Sequence, residues 1–139
     1  MIQLEEAFTR LSDSFFAADD AAVLAVFEFP MAIYADGGVL VFSNAGALKS
    51  AMSRYRKLLI DNNICDIEAS VAAVPLLRGL SGTIWIDVTY YDAGGAPIDT
   101  SQLRYFFRLS GGRPRIAMIE YTKTPALICT RAMEQIRAA

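Results

Sequence analysis

At 139 residues, with 54% hydrophobic and 20% charged side chains, the chain has the length of one domain and enough apolar content to bury a core without staples, which excludes a disordered or fibrous protein. A net charge of −2 and a pI near 5.1 offer no overall attraction to phosphate backbones or anionic lipid, so nucleic acid and membrane surfaces are poor partners. The absence of histidine removes imidazole proton shuttling, Ser-His-Asp triads and His-based metal sites, and two cysteines, Cys65 and Cys129, are too few for a disulfide framework.

Leu4, Phe8, Leu11, Phe15 and Ala18 recur at steps of four and three, the stripe of a first amphipathic helix. Asp19 or Asp20 then caps a second, running through Val23, Val26 and Phe27 until Pro30 stops it by lacking an N–H and by biasing the residue before it. Residues 31–35 and 39–42 are β-prone runs separated by Asp36-Gly37-Gly38, which tolerate the positive φ of a tight hairpin. Ser43 or Asn44 caps a third helix with an apolar face of Leu48, Ala51, Met52, Tyr55, Leu58 and Leu59. Its bases Arg54, Arg56 and Lys57 fall toward the C-terminal end, where the helix dipole favours them.

After Asp61-Asn62-Asn63 the period changes to two, placing strands near 64–74, 83–91, 102–109 and 115–123. Gly-containing turns at 92–95 and 110–113 make successive strands antiparallel neighbours. Thr124-Pro125 has the form of an N-cap and first helical residue, opening a short C-terminal helix over 125–139 with Ile128, Ala132, Met133 and Ile136 inward. No linker or repeat divides residues 1–139, which read as one domain. Both thiols are expected reduced and mostly buried. Acidic Glu5 and Glu6, where a signal peptide would be basic, point to a cytoplasmic protein. Residues 1–48 hold seven acids against Arg10 and residues 100–139 seven bases against Glu120 and Glu134, so the two ends are expected to pair across the fold or across a dimer.

Strict alternation sorts the strands into two faces. Leu103, Tyr105, Phe107 and Leu109 pack on the helices, as do Ile84, Ile86, Val88 and Tyr90, with Ile116 and Met118 in the same phase. The other face carries Trp85, Tyr91, Phe106, Ile119 and Tyr121 among Arg104, Arg108 and Asp87. An aromatic patch of this kind suggests an interface, and closed twofold pairs being the commonest assembly, the expected partner is a second copy. Glu120 falls in phase with Ile116 and Met118 and so interrupts the inner face with a carboxylate. It is either a functional group or a strand-end acid reaching solvent or an arginine, and structural ion pairs make the second the commoner case.

The order helix, capped helix, hairpin, third helix and long antiparallel strands resembles that of the nuclear transport factor 2-like superfamily, which includes polyketide-cyclase-like and ketosteroid-isomerase-like proteins. Local texture carries the resemblance further: AADDAAVLAVF in the second helix, YADG in the hairpin and RIAMIEYTKTP in the last strand. The resemblance implies an α+β, cystatin-like cone in which a curved antiparallel sheet packs on three helices of the N-terminal half, a pocket between the layers, and dimers. It implies no single activity. Counted from Phe27, the isomerase's oxyanion tyrosine falls at Leu11, its general base at Ala35 beside Asp36, and its oxyanion aspartate at Tyr105, so none is retained. The Ala96-Pro97-Ile98-Asp99 string is similar to one in the isomerase but lies out of register with it. Many relatives have a histidine where this chain has Glu120.

Three functions remain open. A binding protein would use Leu11, Phe15, Met52, Tyr55, Tyr90, Tyr105, Met118 and Glu120 as a pocket for a small, flat or lipid-like hydrophobic molecule, unless those side chains simply fill the core. An isomerase or cyclase acting on a small hydrophobic carbonyl compound would use Glu120 as general acid or base, with Tyr105 or Tyr55 donating to a developing oxyanion and Asp36 as a second candidate base. A non-catalytic interaction domain would use the aromatic face for another protein. No cofactor or metal is expected.

Overall fold

The computed structural model describes residues 2–35 and 37–124. The expected C-terminal helix at 125–139, Cys129 and the candidate base Asp36 lie outside them.

Helix α1 spans Ile2–Phe16 and turns Phe8 fully into the core, with Leu4, Leu11 and Phe15 beside it. Its stripe ends before Ala18, which takes a left-handed φ of 58° while the Asp19 N–H donates to Ser14 O and the Ala18 N–H to Phe15 O. These are the paired bonds of a Schellman stop, here with an alanine where glycine is usual. Asp19 caps α2, Asp20–Leu24, its carboxylate accepting from the Ala22 N–H.

The second helix is shorter than its sequence pattern implied. Phe27 opens strand β1, Phe27–Ala35, because Phe27 pairs with Ile116 and the Val26 carbonyl accepts from the Ile116 N–H at 2.7 Å. Pro30 lies inside this strand after a cis peptide bond, in the irregular stretch between the Phe27 and Ala32 pairings where its missing N–H breaks no ladder bond. Ala35 pairs with Gly38, so Asp36-Gly37 joins β1 to β2, Gly38–Phe42.

Asn44 caps α3, Ala45–Asp61, accepting from the Ala47 N–H, and Leu48, Ala51, Met52 and Leu59 are its buried side chains. A second Schellman stop closes it: Asn63 has a φ of 64°, the Ile64 N–H donates to Leu59 O, and Ile64 and Leu59 are both fully buried. The last turn holds no base, so the dipole expectation for Arg54, Arg56 and Lys57 fails. Arg56 instead knits the helices together. Its Nε donates to Phe15 O at 2.7 Å, its Nη2 pairs with Asp20 at 2.8 Å, and its guanidinium stacks on the Phe15 ring.

Four long strands follow: β3, Asp66–Arg78; β4, Ser81–Tyr91; β5, Pro97–Ser110; and β6, Arg113–Lys123. The sheet order is β2-β1-β6-β5-β4-β3. Every neighbour is antiparallel, as expected of successive strands, except β1 with β6, which run parallel. The returning meander brings β6 alongside β1 in the same direction. Where β3 meets β4, a Cβ on Gly82 would lie 2.7 Å from Leu76 O and 2.8 Å from Phe107 Cζ, so only glycine lets these strands and that ring close together.

The core fills the space between the sheet's concave face and the helices, with Phe8, Met31, Leu59, Ile64, Ile84, Ile86 and Ile116 fully enclosed. Cys65, expected buried, is exposed at the entry to β3.

Candidate functional site

Strand β6 decides what faces the helices. Phe107 pairs with Ile116 but Phe106 pairs with Met118, leaving Ala117 as an extra, exposed residue: a β-bulge. Side chains alternate with a period of two, so one added residue exchanges the faces of everything beyond it. Ile119 pairs with Tyr105 and Tyr121 with Leu103, on the inner face, whereas Met118 and Glu120 oppose Phe106 and Arg104 on the outer face.

Four expectations are thereby corrected. Met118 and Glu120 are not in the pocket, and Ile119 and Tyr121 are not part of the outer patch. Glu120 forms a partly exposed ion pair with Arg104, whose guanidinium lies 4.8 Å from the Trp85 ring centroid and 4.6 Å from that of Phe106. Trp85, Phe106 and Tyr91 remain on the outer side, with Tyr34 beside them 44% exposed. The pairing of the acidic and basic ends is realised where Arg108 meets Glu28 at 2.7 Å.

The inner face and the helices line a cavity of about 160 Å³. Leu11, Phe15, Met52, Tyr55, Tyr90 and Tyr105, all anticipated from sequence, come together around it. Sequence reasoning missed Ile119, Tyr121, Ser12, Phe27, Met31 and Ile33 among the others. Tyr121 and Ile119 were hidden by the bulge, and Phe27 and Met31 by the assignment of Phe27 to a helix. Rings pack tightly along the wall, Phe8 stacking on Tyr105 at 5.2 Å and Phe15 tilting against Tyr55 at 5.8 Å.

No lining residue carries a charge, and the polar groups of the wall are hydroxyls. The Tyr90 and Ser101 hydroxyls lie 2.9 Å apart, and Tyr90 also interacts with the Tyr55 hydroxyl. Burial pushes all four pocket phenols above the usual tyrosine value. Neighbouring phenols add to this at Tyr55, Tyr105 and Tyr121, while hydrogen bonds from Ser101 and Tyr55 partly offset it at Tyr90. These groups are neutral donors throughout the physiological range.

Asp99 is the carboxylate nearest this cluster. It pairs with Tyr90 across β4 and β5, on the inner side, and its charge helps raise Tyr55 and Tyr90. The Ala96-Pro97-Ile98-Asp99 string was its sequence signal. By count the string lies out of register with the isomerase's own; the structure places it at the start of β5, which begins at Pro97 rather than near residue 102. Among the described residues no cluster of three or more His, Cys, Asp or Glu could hold a metal ion, and no helix is long and apolar enough to cross a membrane.

No protein-family model matches this chain, and no curated protein matches it. Solved structures do. A protein of unknown function with a cystatin-like fold from Nostoc punctiforme superposes with a TM-score of 0.68 at 15% identity, over 90% of this chain and 92% of that one. A nuclear transport factor 2-like protein with a cystatin-like fold from Novosphingobium aromaticivorans gives 0.67 at 12% identity, over 93% and 85%. Another nuclear transport factor 2-like protein of unknown function, from Shewanella oneidensis, gives 0.61 at 9% identity, over 84% and 93%. The chain has the cystatin-like, nuclear transport factor 2-like fold.

Proposed function

We propose that this fold serves here to bind one small hydrophobic molecule between the helices and the concave face of the sheet. The observation that carries the reading is the uncharged cavity of about 160 Å³, walled by aromatic and aliphatic side chains. A wholly apolar cavity of about 150 Å³ accepts benzene, so the matching ligand here is about one ring in size. Burial of apolar surface drives entry, and the phenols supply orientation.

The acid–base reading built on Glu120 lacks support, since its carboxylate and the cavity are on opposite faces of the sheet. A homodimer through the outer face belongs to the proposal. Trp85, Phe106, Tyr91 and Tyr34 supply apolar area there, and the alternating charges of Arg104, Glu120, Arg108 and Glu28 suit a self-complementary surface. A cytoplasmic setting is also proposed, and the exposed thiol of Cys65 fits a reducing compartment.

Thermal denaturation with a panel of single-ring compounds tests the pocket. A ligand at one hundred times its dissociation constant adds about 2.7 kcal/mol, which raises the Tm by several degrees. No shift with any compound at millimolar concentration would reject a binding pocket. Sedimentation at micromolar concentration, with Phe106→Arg as the dissociating variant, tests the dimer.

A further inference from the structure

The end of the sheet where β3 turns into β4 carries apolar side chains that the fold leaves uncovered. Leu76, Leu77 and Leu80 are 68%, 45% and 66% exposed, and Arg78 pairs with Ser81 across the Gly79-Leu80 turn. Leu76 pairs with Thr83, which pairs with Phe106 on the convex side, whereas Leu77 pairs with Gly82 opposite Phe107 on the concave side. The hairpin tip is thus apolar on both faces and at its apex. A firm, flat partner covers one face of such a tip, and a fluid apolar phase surrounds all of it.

Arginines ring the base of the tip. Arg78 and Arg108 share a groove with Leu76 and Leu77, and Arg113 and Arg115 share another with Leu77. The Leu109 N–H, donating to Leu80 O at 2.7 Å, holds the β5–β6 turn beside the β3–β4 turn. Glu28, the one acid lining these grooves, is taken by Arg108, and among the described residues Arg78, Arg113 and Arg115 form no ion pair. The opposite end of the same strands bears Asp66, Asp92 and Asp99 against Lys123. A net charge of −2 therefore speaks against anionic surfaces only as an average, because the fold separates the charge and puts the leucines at the positive end.

We propose that this tip docks on an anionic lipid bilayer. Leu76, Leu77 and Leu80 enter the boundary between headgroups and acyl chains, while Arg78, Arg113 and Arg115 meet the lipid phosphates and carboxylates. Three leucines on one turn give shallow, reversible attachment that salt weakens. An acidic protein would answer the arginines but leave one leucine face in water. None of these residues lines the cavity, so the proposal stands apart from what fills it.

Sedimentation of the full chain with vesicles of phosphatidylcholine, alone or with phosphatidylserine as about a third of the lipid, tests the docking. Partitioning onto the anionic vesicles should exceed that onto neutral ones at least about tenfold, since each arginine near such a surface adds about fivefold. It should fall at least about tenfold between about 0.1 M and about 1 M salt, where the screening length shrinks from about 10 Å to about 3 Å. Arg78→Glu with Arg113→Glu should abolish the preference for phosphatidylserine, and Leu76→Ser with Leu80→Ser should lower partitioning about tenfold. All four side chains are exposed, so both double variants should keep the wild-type Tm. Equal partitioning onto both vesicles, or binding unchanged in either double variant, would overturn the proposal. Capture on polyglutamate without vesicle binding would give the tip to an acidic protein, and a dimer dissociated by the leucine variant would give it to a second copy; either result overturns it too.

Discussion

The two faces of the sheet come from the same strands and treat polarity in opposite ways. On the concave face every polar group around the cavity is a neutral hydroxyl, and the apolar wall raises the phenols' pKa values so that they stay neutral. On the convex face the polar groups include ions that meet partners: Arg104 meets Glu120 and two aromatic rings, Arg108 meets Glu28, and Asp87 meets Gln102. The difference follows from the solvent. Half-wet charges keep most of their hydration and need only loose partners, whereas an enclosed wall tolerates only groups that cost little to desolvate.

A single residue keeps these two chemistries apart, and removing it should have the largest effect. Deleting Ala117 would restore strict alternation along β6, turning Glu120 into the apolar layer and Ile119 and Tyr121 out of it. A buried, unpaired carboxylate together with the lost packing is expected to cost more than about 5 kcal/mol, enough to prevent folding. Cooperative urea unfolding by the deletion variant at near wild-type midpoint would show that the bulge does not set the faces.

Alkaline pH should next distinguish the concave side. In the unfolded chain these phenols ionise near their ordinary value of about 10, while in the folded chain they hold their protons to higher pH. Above pH 10 the unfolded state therefore releases protons that the native state keeps, so stability present below that pH is lost as the pH rises toward the folded values. Each phenol that keeps its proton contributes at most about 1.4 kcal/mol per pH unit above pH 10, so the native state loses stability progressively over that range. The urea midpoint should be flat from pH 8 to 9.5 and fall steeply beyond. A midpoint preserved at pH 11 would contradict burial of the phenols.

Adjacent residues on β4 offer a closer contrast. Ile84 is fully buried on the concave side, and Ile84→Ala should cost about 3 kcal/mol, the usual penalty for an emptied core position. Trp85, next to it on the convex side, is half-buried against Arg104, and Trp85→Ala should cost about 1 kcal/mol. These values hold for the dissociated chain; at concentrations where the proposed homodimer covers the convex face the Trp85 loss should rise toward that of Ile84, and a Trp85 loss independent of protein concentration would count against that dimer.

The smallest effects are expected within the convex ion pair. Arg104→Ala removes two ring contacts and one partner and should cost up to about 1 kcal/mol. Glu120→Gln should cost less than about 1 kcal/mol, because the pair is partly exposed and screened. Neither should alter binding in the cavity. Loss of binding in Glu120→Gln with unchanged stability would bring that acid back into the site.

Local patterning made most of the fold legible. The stripe of α1, the caps Asp19 and Asn44 and the inner faces of β4 and β5 all follow from short-range periodicity and capping chemistry, which neighbouring residues carry by themselves. Six of the pocket side chains were placed from those faces. What stayed hidden has one origin. Val26 and Phe27 continue a helical period, and Glu120 continues a strand period, until pairing with a distant strand overrides them: β6 recruits Phe27, and the Phe106–Met118 register creates the bulge.

The chain's own order of residues determined that this is an α+β fold with an apolar, tyrosine-rich interior, because hydrophobic spacing is a property of near neighbours. Only the tertiary structure decided which tyrosines share the cavity and which acid stands outside it. A strand's facing is fixed by its partner's hydrogen bonds, and one unpaired residue in that ladder reverses the side on which every later side chain emerges.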